Sequence, residues 1–105
     1  MQNLGQLMQK AQQVQTQMNV LQSKMEKLEF TGESGGGAVR VTMTGKGVAV
    51  KVEINDSVLS DRETLEDLIL VAINNAKDQS EEMMAGEMER IQKSLGLPPG
   101  FKMPF

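Results

Sequence analysis

Between Leu4 and Leu28 the apolar positions are Leu4, Leu7, Ala11, Val14, Met18, Leu21, Met25 and Leu28, separated by alternating steps of three and four. This spacing predicts a helix with a heptad seam, Leu4, Ala11, Met18 and Met25 in one column and Leu7, Val14, Leu21 and Leu28 in the other. Eight Gln between Gln2 and Gln22 flank the seam, and no Pro interrupts it. At about 1.5 Å per residue the helix is roughly 40 Å long, more than a small core covers, so it is expected to project or to pair with another helix.

The period then changes from helical to alternating. A strand opens around Glu29-Phe30-Thr31, and the run Gly32-Glu33-Ser34-Gly35-Gly36-Gly37 has the composition of a turn. In Ala38–Thr44, Val39, Val41 and Met43 alternate with Arg40, Thr42 and Thr44. In Val48–Ile54, Val48, Val50, Val52 and Ile54 alternate with Ala49, Lys51 and Glu53. Each is a strand with one apolar face, and Gly45-Lys46-Gly47 closes the hairpin between them, giving a three-stranded antiparallel meander.

Ser60-Asp61-Arg62-Glu63 has the form of a capping box with Ser60 at the N-cap, so a second long helix is expected from there. Leu65, Leu68, Ile69, Ala72, Ile73 and Ala76 form its first apolar stripe, and Met84, Met88, Ile91 and Leu95 its second. Asn74-Asn75 and the polar stretch 77–82 separate the two and mark the place for a bend or a break into two helices, with Gly86 adding local freedom. The prolines in Gly96-Leu97-Pro98-Pro99-Gly100-Phe101-Lys102-Met103-Pro104-Phe105 predict an extended apolar tail. The chain is thus expected to be one α+β domain over 1–105: a helical arm at 1–28, a sheet at 29–55, a helix or helix pair at 60–95 and an extended Pro-rich tail at 96–105.

Composition narrows the chemistry. With no His and no Cys among 105 residues, there is no Ser-His or Cys-His nucleophile and no imidazole or thiolate metal site. Gly32-Glu33-Ser34-Gly35-Gly36 matches the spacing of a nucleophile elbow, but it precedes a strand rather than a helix and has no base to take a serine proton. Gly45-Lys46-Gly47 lacks the remainder of a phosphate loop. Asp61, Glu63, Glu66 and Asp67 sit where acidic side chains favour a helix N-terminus, and no ligand loop accompanies them. Neither an enzyme, a cofactor nor a metal site is expected. The start MQNLGQLMQK lacks the cationic and apolar regions of a secretory signal, and the apolar run 68–73 is too short to span a membrane, so a soluble cytoplasmic protein without a membrane partner is expected.

The formal charge of -3 is unevenly distributed: residues 1–55 carry +2, 56–90 carry -7 and 91–105 carry +2. Lys10, Lys24 and Lys27 on the first helix and Arg90 and Lys93 late in the second are either solvated helix faces or, were the partner a nucleic acid, the candidate contacts to its phosphates. Few such contacts give modest, salt-sensitive binding, and three Phe with no Tyr or Trp argue against reading single strands by stacking. Nine Met, among them Met8, Met18, Met25, Met83, Met84 and Met88, suit a core and a self-association seam. Apolar surface for pairing two copies is offered by Val39, Val41, Val50, Val52, Met84 and Met88, and the short chain makes self-association a natural supplement to its core.

The Gln/Met-rich heptad start, Leu28-Glu29-Phe30-Thr31-Gly32-Glu33-Ser34-Gly35, the strand end Val52-Glu53-Ile54, Leu65-Glu66-Asp67-Leu68 and the closing Leu97-Pro98-Pro99-Gly100-Phe101-Lys102-Met103-Pro104-Phe105 together resemble the YbaB/EbfC family of bacterial nucleoid-associated proteins. The resemblance covers essentially the whole chain in order. It implies a homodimer with an α-β-β-β-α core whose helical arms project like the jaws of tweezers and bind double-stranded DNA between them at the nucleoid; two equivalent contact sets on one duplex then make bending or bridging of the DNA an expectation. Where relatives can carry a basic cluster, this chain has Gly45-Lys46-Gly47-Val48-Ala49-Val50-Lys51, so its hairpin offers less positive charge. The competing expectation is a protein-interaction adaptor that docks through its Met-rich helices or its tail.

Overall fold

A computed structural model describes residues 4–96. Helix α1 spans Leu4–Lys27, strands β1, β2 and β3 span Glu29–Ser34, Val39–Thr44 and Ala49–Ile54, and helix α2 spans Arg62–Ser94, with 3-10 turns at Gly35–Gly37 and Asp56–Val58. The strands form one antiparallel sheet in the order β1-β2-β3. Two helices and a three-stranded meander are the α+β elements that the hydrophobic pattern predicts. The expected tail, from Leu97 onward, lies outside the described residues.

β1 runs through Gly32 to Ser34 instead of turning at Gly32. Its register pairs Glu29 with Thr44 and Ser34 with Val39. The reason for a glycine inside a strand is tertiary: a Cβ at Gly32 would stand 2.0 Å from the Ala72 carbonyl oxygen and 2.4 Å from the Ala76 amide nitrogen. Ala72 and Ala76 are fully buried, so α2 lies on β1 backbone to backbone. The chain reverses only afterwards, through Gly35, Gly36 and Gly37 at φ of 59°, 67° and 92°.

α2 is capped by Asp61, not by Ser60. The Asp61 carboxylate accepts from the Thr64 amide at 3.2 Å and from the Thr64 hydroxyl at 2.7 Å, and these bonds hold its pKa below the usual carboxylate value. From Arg62 to Ser94 the 33-residue helix is continuous, and the anticipated break is not seen. Its polar middle has partners the apolar period does not register. Asn75 Oδ1 accepts from the Glu33 amide at 3.3 Å, Gln79 Nε2 donates to the Thr31 carbonyl at 2.8 Å, and the Ser80 hydroxyl donates to the Gly45 carbonyl at 3.3 Å. These side chains serve the free edge of β1 and the β2–β3 turn.

Two apolar clusters result, one for each half of α2. Val39, Val41 and Ala72 form the first, with Met43, Val58, Leu65, Leu68, Ile69 and Ile73 around them. Val14, Met18, Leu21, Met25 and Ile91 form the second, with Leu28, Phe30, Met84, Met88 and Leu95 against them. The proximal half of α2 thus covers the sheet and the distal half packs on α1. Where α1 meets the hairpin the approach is again close, since a Cβ at Gly45 would lie 2.6 Å from the Met25 carbonyl oxygen.

β3 is left out of both clusters, and all six of its residues are exposed. Val52 and Ile54 pair with Val41 and Val39 and so point to the face on which α2 lies, but α2 covers β1 and β2 instead. Thr42 pairs with Lys51 and Met43 with Ala49, which makes Val50 the extra residue of a β-bulge. This shifts the expected Val48–Ile54 alternation by one place at its start, and Val48 falls in the turn, its carbonyl accepting from the Thr44 amide at 2.8 Å.

Candidate nucleic-acid interface

The described residues measure 68 × 23 × 17 Å, with a radius of gyration of 19.1 Å against about 13 Å for a compact chain of this size. This elongation comes from an arm made by α1 and the distal half of α2. The buried column Val14, Met18, Leu21 and Met25 is the C-terminal part of the predicted seam. Leu4, Leu7 and Met8 stay exposed, because α2 ends at Ser94, before reaching them.

All five candidate cations lie on this arm. Lys24 and Arg90 face each other across the two helices and share Glu87. Lys24 Nζ donates to Glu87 Oε1 at 2.8 Å, while Arg90 Nε donates to Oε2 at 3.1 Å and Arg90 Nη2 to the same oxygen. The Lys24 bond first, and the Arg90 bond second, hold the Glu87 carboxyl below its ordinary pKa. Lys93 pairs with Glu89 one turn earlier at 3.1 Å. Among the described residues every other cation also has a carboxylate within ion-pair distance, except Lys10 and Lys27. Lys24 and Lys27 occupy the last turn of α1, where positive charge suits the carbonyl end of the helix dipole. Beside these charges runs an open groove lined by Gln9, Gln12, Gln13, Thr16, Gln17, Ser94 and Leu95.

The proposed pairing residues divide three ways. Val39 and Val41 are at most 1% exposed inside the protomer's own core and have no surface to give a second copy. Met84 and Met88 pack against the α1–α2 cluster. Val50 and Val52, 49% and 53% exposed, remain open. Asp61, Glu63, Glu66 and Asp67 lie around the start of α2, and no group of three or more potential metal ligands is gathered among the described residues.

Residues 1–95 match the model of the YbaB/EbfC DNA-binding family. The chain belongs to that family. It is 50% identical, over 107 aligned residues covering all of both chains, to a nucleoid-associated protein of Paramagnetospirillum magneticum. The crystal structure of an uncharacterised protein from Helicobacter pylori superposes with a TM-score of 0.76 at 26% identity, covering 87% of this chain and 98% of that one. Among the described residues no helix is long and apolar enough to cross a membrane.

Within this YbaB/EbfC chain, sequence reasoning found the cations but not Glu87, their shared partner. Lys24 and Glu87 are 63 positions apart, a distance at which no local spacing rule operates. The nearest signal was the flanking pair Met84 and Met88, which identifies the α2 face that meets α1.

Proposed function

We propose that this protein binds duplex DNA as a homodimer, the arms of the two copies presenting Lys10, Lys24, Lys27, Arg90 and Lys93 to phosphates with little base readout, and that it acts in the cytoplasm at the nucleoid. Membership in a DNA-binding family supports the partner. The observation that carries the mode is that Lys24 of α1 and Arg90 of α2 meet across a projecting two-helix arm, the arm on which Lys10, Lys27 and Lys93 also lie. Phosphate contacts position a protein without reading sequence, and two-fold repetition would set two equivalent contact groups on one duplex, allowing it to be bent or bridged. The exposed apolar face of β3, with Val50 and Val52, is the surface on which the copies would meet. A binding role, not a catalytic one, follows from the same reading.

A gel mobility shift across a salt series tests it. Binding is expected at low salt, to fade steeply as salt rises, and to weaken at least tenfold when Lys10→Glu and Lys24→Glu are combined. Unaltered binding by a folded double variant overturns the site. Absence of any shift at low salt, with capture of a protein partner that depends on residues 97–105, favours the adaptor reading.

A further inference from the structure

We infer that Glu87 is an internal counter-anion, held by Lys24 and Arg90 and engaging donors that a DNA phosphate arriving from solvent would otherwise take, so that the arm binds DNA by passing those donors from a carboxylate to a phosphodiester. This rests on the DNA-binding reading above and adds to it the residue that limits affinity.

Both Glu87 oxygens are engaged, Oε1 by Lys24 at 2.8 Å and Oε2 by Arg90 Nε at 3.1 Å. An ammonium and a guanidinium holding two oxygens of one anion is also the arrangement that takes two non-bridging oxygens of a phosphate. The Glu87 side chain is only 14% exposed, whereas those of Lys24 and Arg90 are 43% and 68% exposed. The carboxylate is therefore the covered member of both pairs, and the ammonium and the guanidinium each have further N–H donors beyond those it takes. A phosphate approaching from solvent meets cations already half neutralised. Other acids nearby do not share this placement: Glu89 pairs with Lys93 along one face of α2, and Glu26 pairs with Lys46 of the hairpin. Glu87 alone among the described carboxylates joins cations from both helices of the arm.

The test compares wild-type protein, Glu87→Gln and Glu66→Gln on a short mixed-sequence duplex over a salt series. Glu66 pairs with Arg62 at the far end of α2, so its variant changes net charge equally without touching the arm. Glu87→Gln is expected to bind roughly three- to tenfold tighter at low salt with a steeper salt slope, and Glu66→Gln to bind as wild type. Equal gains in the two variants, or unchanged or weaker binding by folded Glu87→Gln, overturn the proposal and leave Glu87 as a structural tie between helices. A second measurement needs no variant. The Glu87 side-chain carboxyl carbon, followed by NMR in wild-type protein, is expected to shift on saturation with duplex and to titrate nearer the ordinary carboxylate range, and an unmoved resonance overturns the exchange. If wild-type protein binds no duplex at low salt, it is the DNA-binding reading that fails. Binding without either Glu87 effect sinks this inference alone.

Discussion

β1 and β3 are the two outer strands of one small sheet, and their edges are treated in opposite ways. α2 lies on β1 so closely that Gly32 has no room for a side chain, and Asn75 and Gln79 bond the strand's outward amide and carbonyl groups. No helix covers β3, and it carries its valines in the open. An exposed strand edge invites pairing with another chain, and side-chain capping is one way to prevent it. The fold covers one outer strand with its own helix and leaves the other apolar and uncovered, which is where the proposed second copy would fit.

The strongest way to break this contrast is to force α2 off β1. Gly32→Ala drives a methyl group into the backbone of α2, and overpacking of this kind is expected to cost on the order of 3 kcal/mol, a fall of roughly 12–24 °C in Tm by calorimetry. A melting temperature equal to wild type would mean that the contact is loose. Val52→Glu acts on the other strand. The protomer should keep its helical circular dichroism, while light scattering should show the proposed dimer weakened at least tenfold, since a buried charge would lack a partner. An unchanged mass for this variant would move the interface away from β3. Asn75→Ala with Gln79→Ala reopens the edge of β1, with an expected loss of about 1 kcal/mol for each hydrogen bond and new concentration-dependent association. Smallest is Asp61→Ala, about 1 kcal/mol in denaturant unfolding, which removes the cap that fixes where α2 begins its course over β1 and β2. Ser60→Ala should be nearly silent, and a reversal of the two results would restore the capping box.

The elements that bury an apolar stripe were legible from the chain alone, because periodicity reports burial. The 3-4 spacing of Val14, Met18, Leu21 and Met25 and the alternation of Val39 and Val41 carry that information directly. What it omits is which of two equally apolar strands will be covered. Val41 and Val52 face each other in register, yet one is core and the other surface, and only the placement of α2 separates them. The polar stretch of α2 was misread for a related reason. A hydrophobic pattern cannot count Asn75 and Gln79 as sheet-facing residues when their partners are backbone groups on β1. Of the candidate site, the cations of the arm were visible as local charge, whereas the carboxylate that holds two of them was visible only in three dimensions.

The unbroken course of α2 has a mechanical consequence. Thirty-three residues of helix make a rod about 50 Å long, with Arg90 and Lys93 near one end and Ala72 and Ala76 seated on Gly32 partway along. The helix is continuous between them, so a load applied at the cations travels along α2, shared with α1 through the cluster around Ile91, and reaches that seat as torque on a lever. On the proposed reading, how far an arm would yield to a stiff duplex depends on the rigidity of a glycine–alanine contact at the sheet, well away from the cations that would meet the DNA.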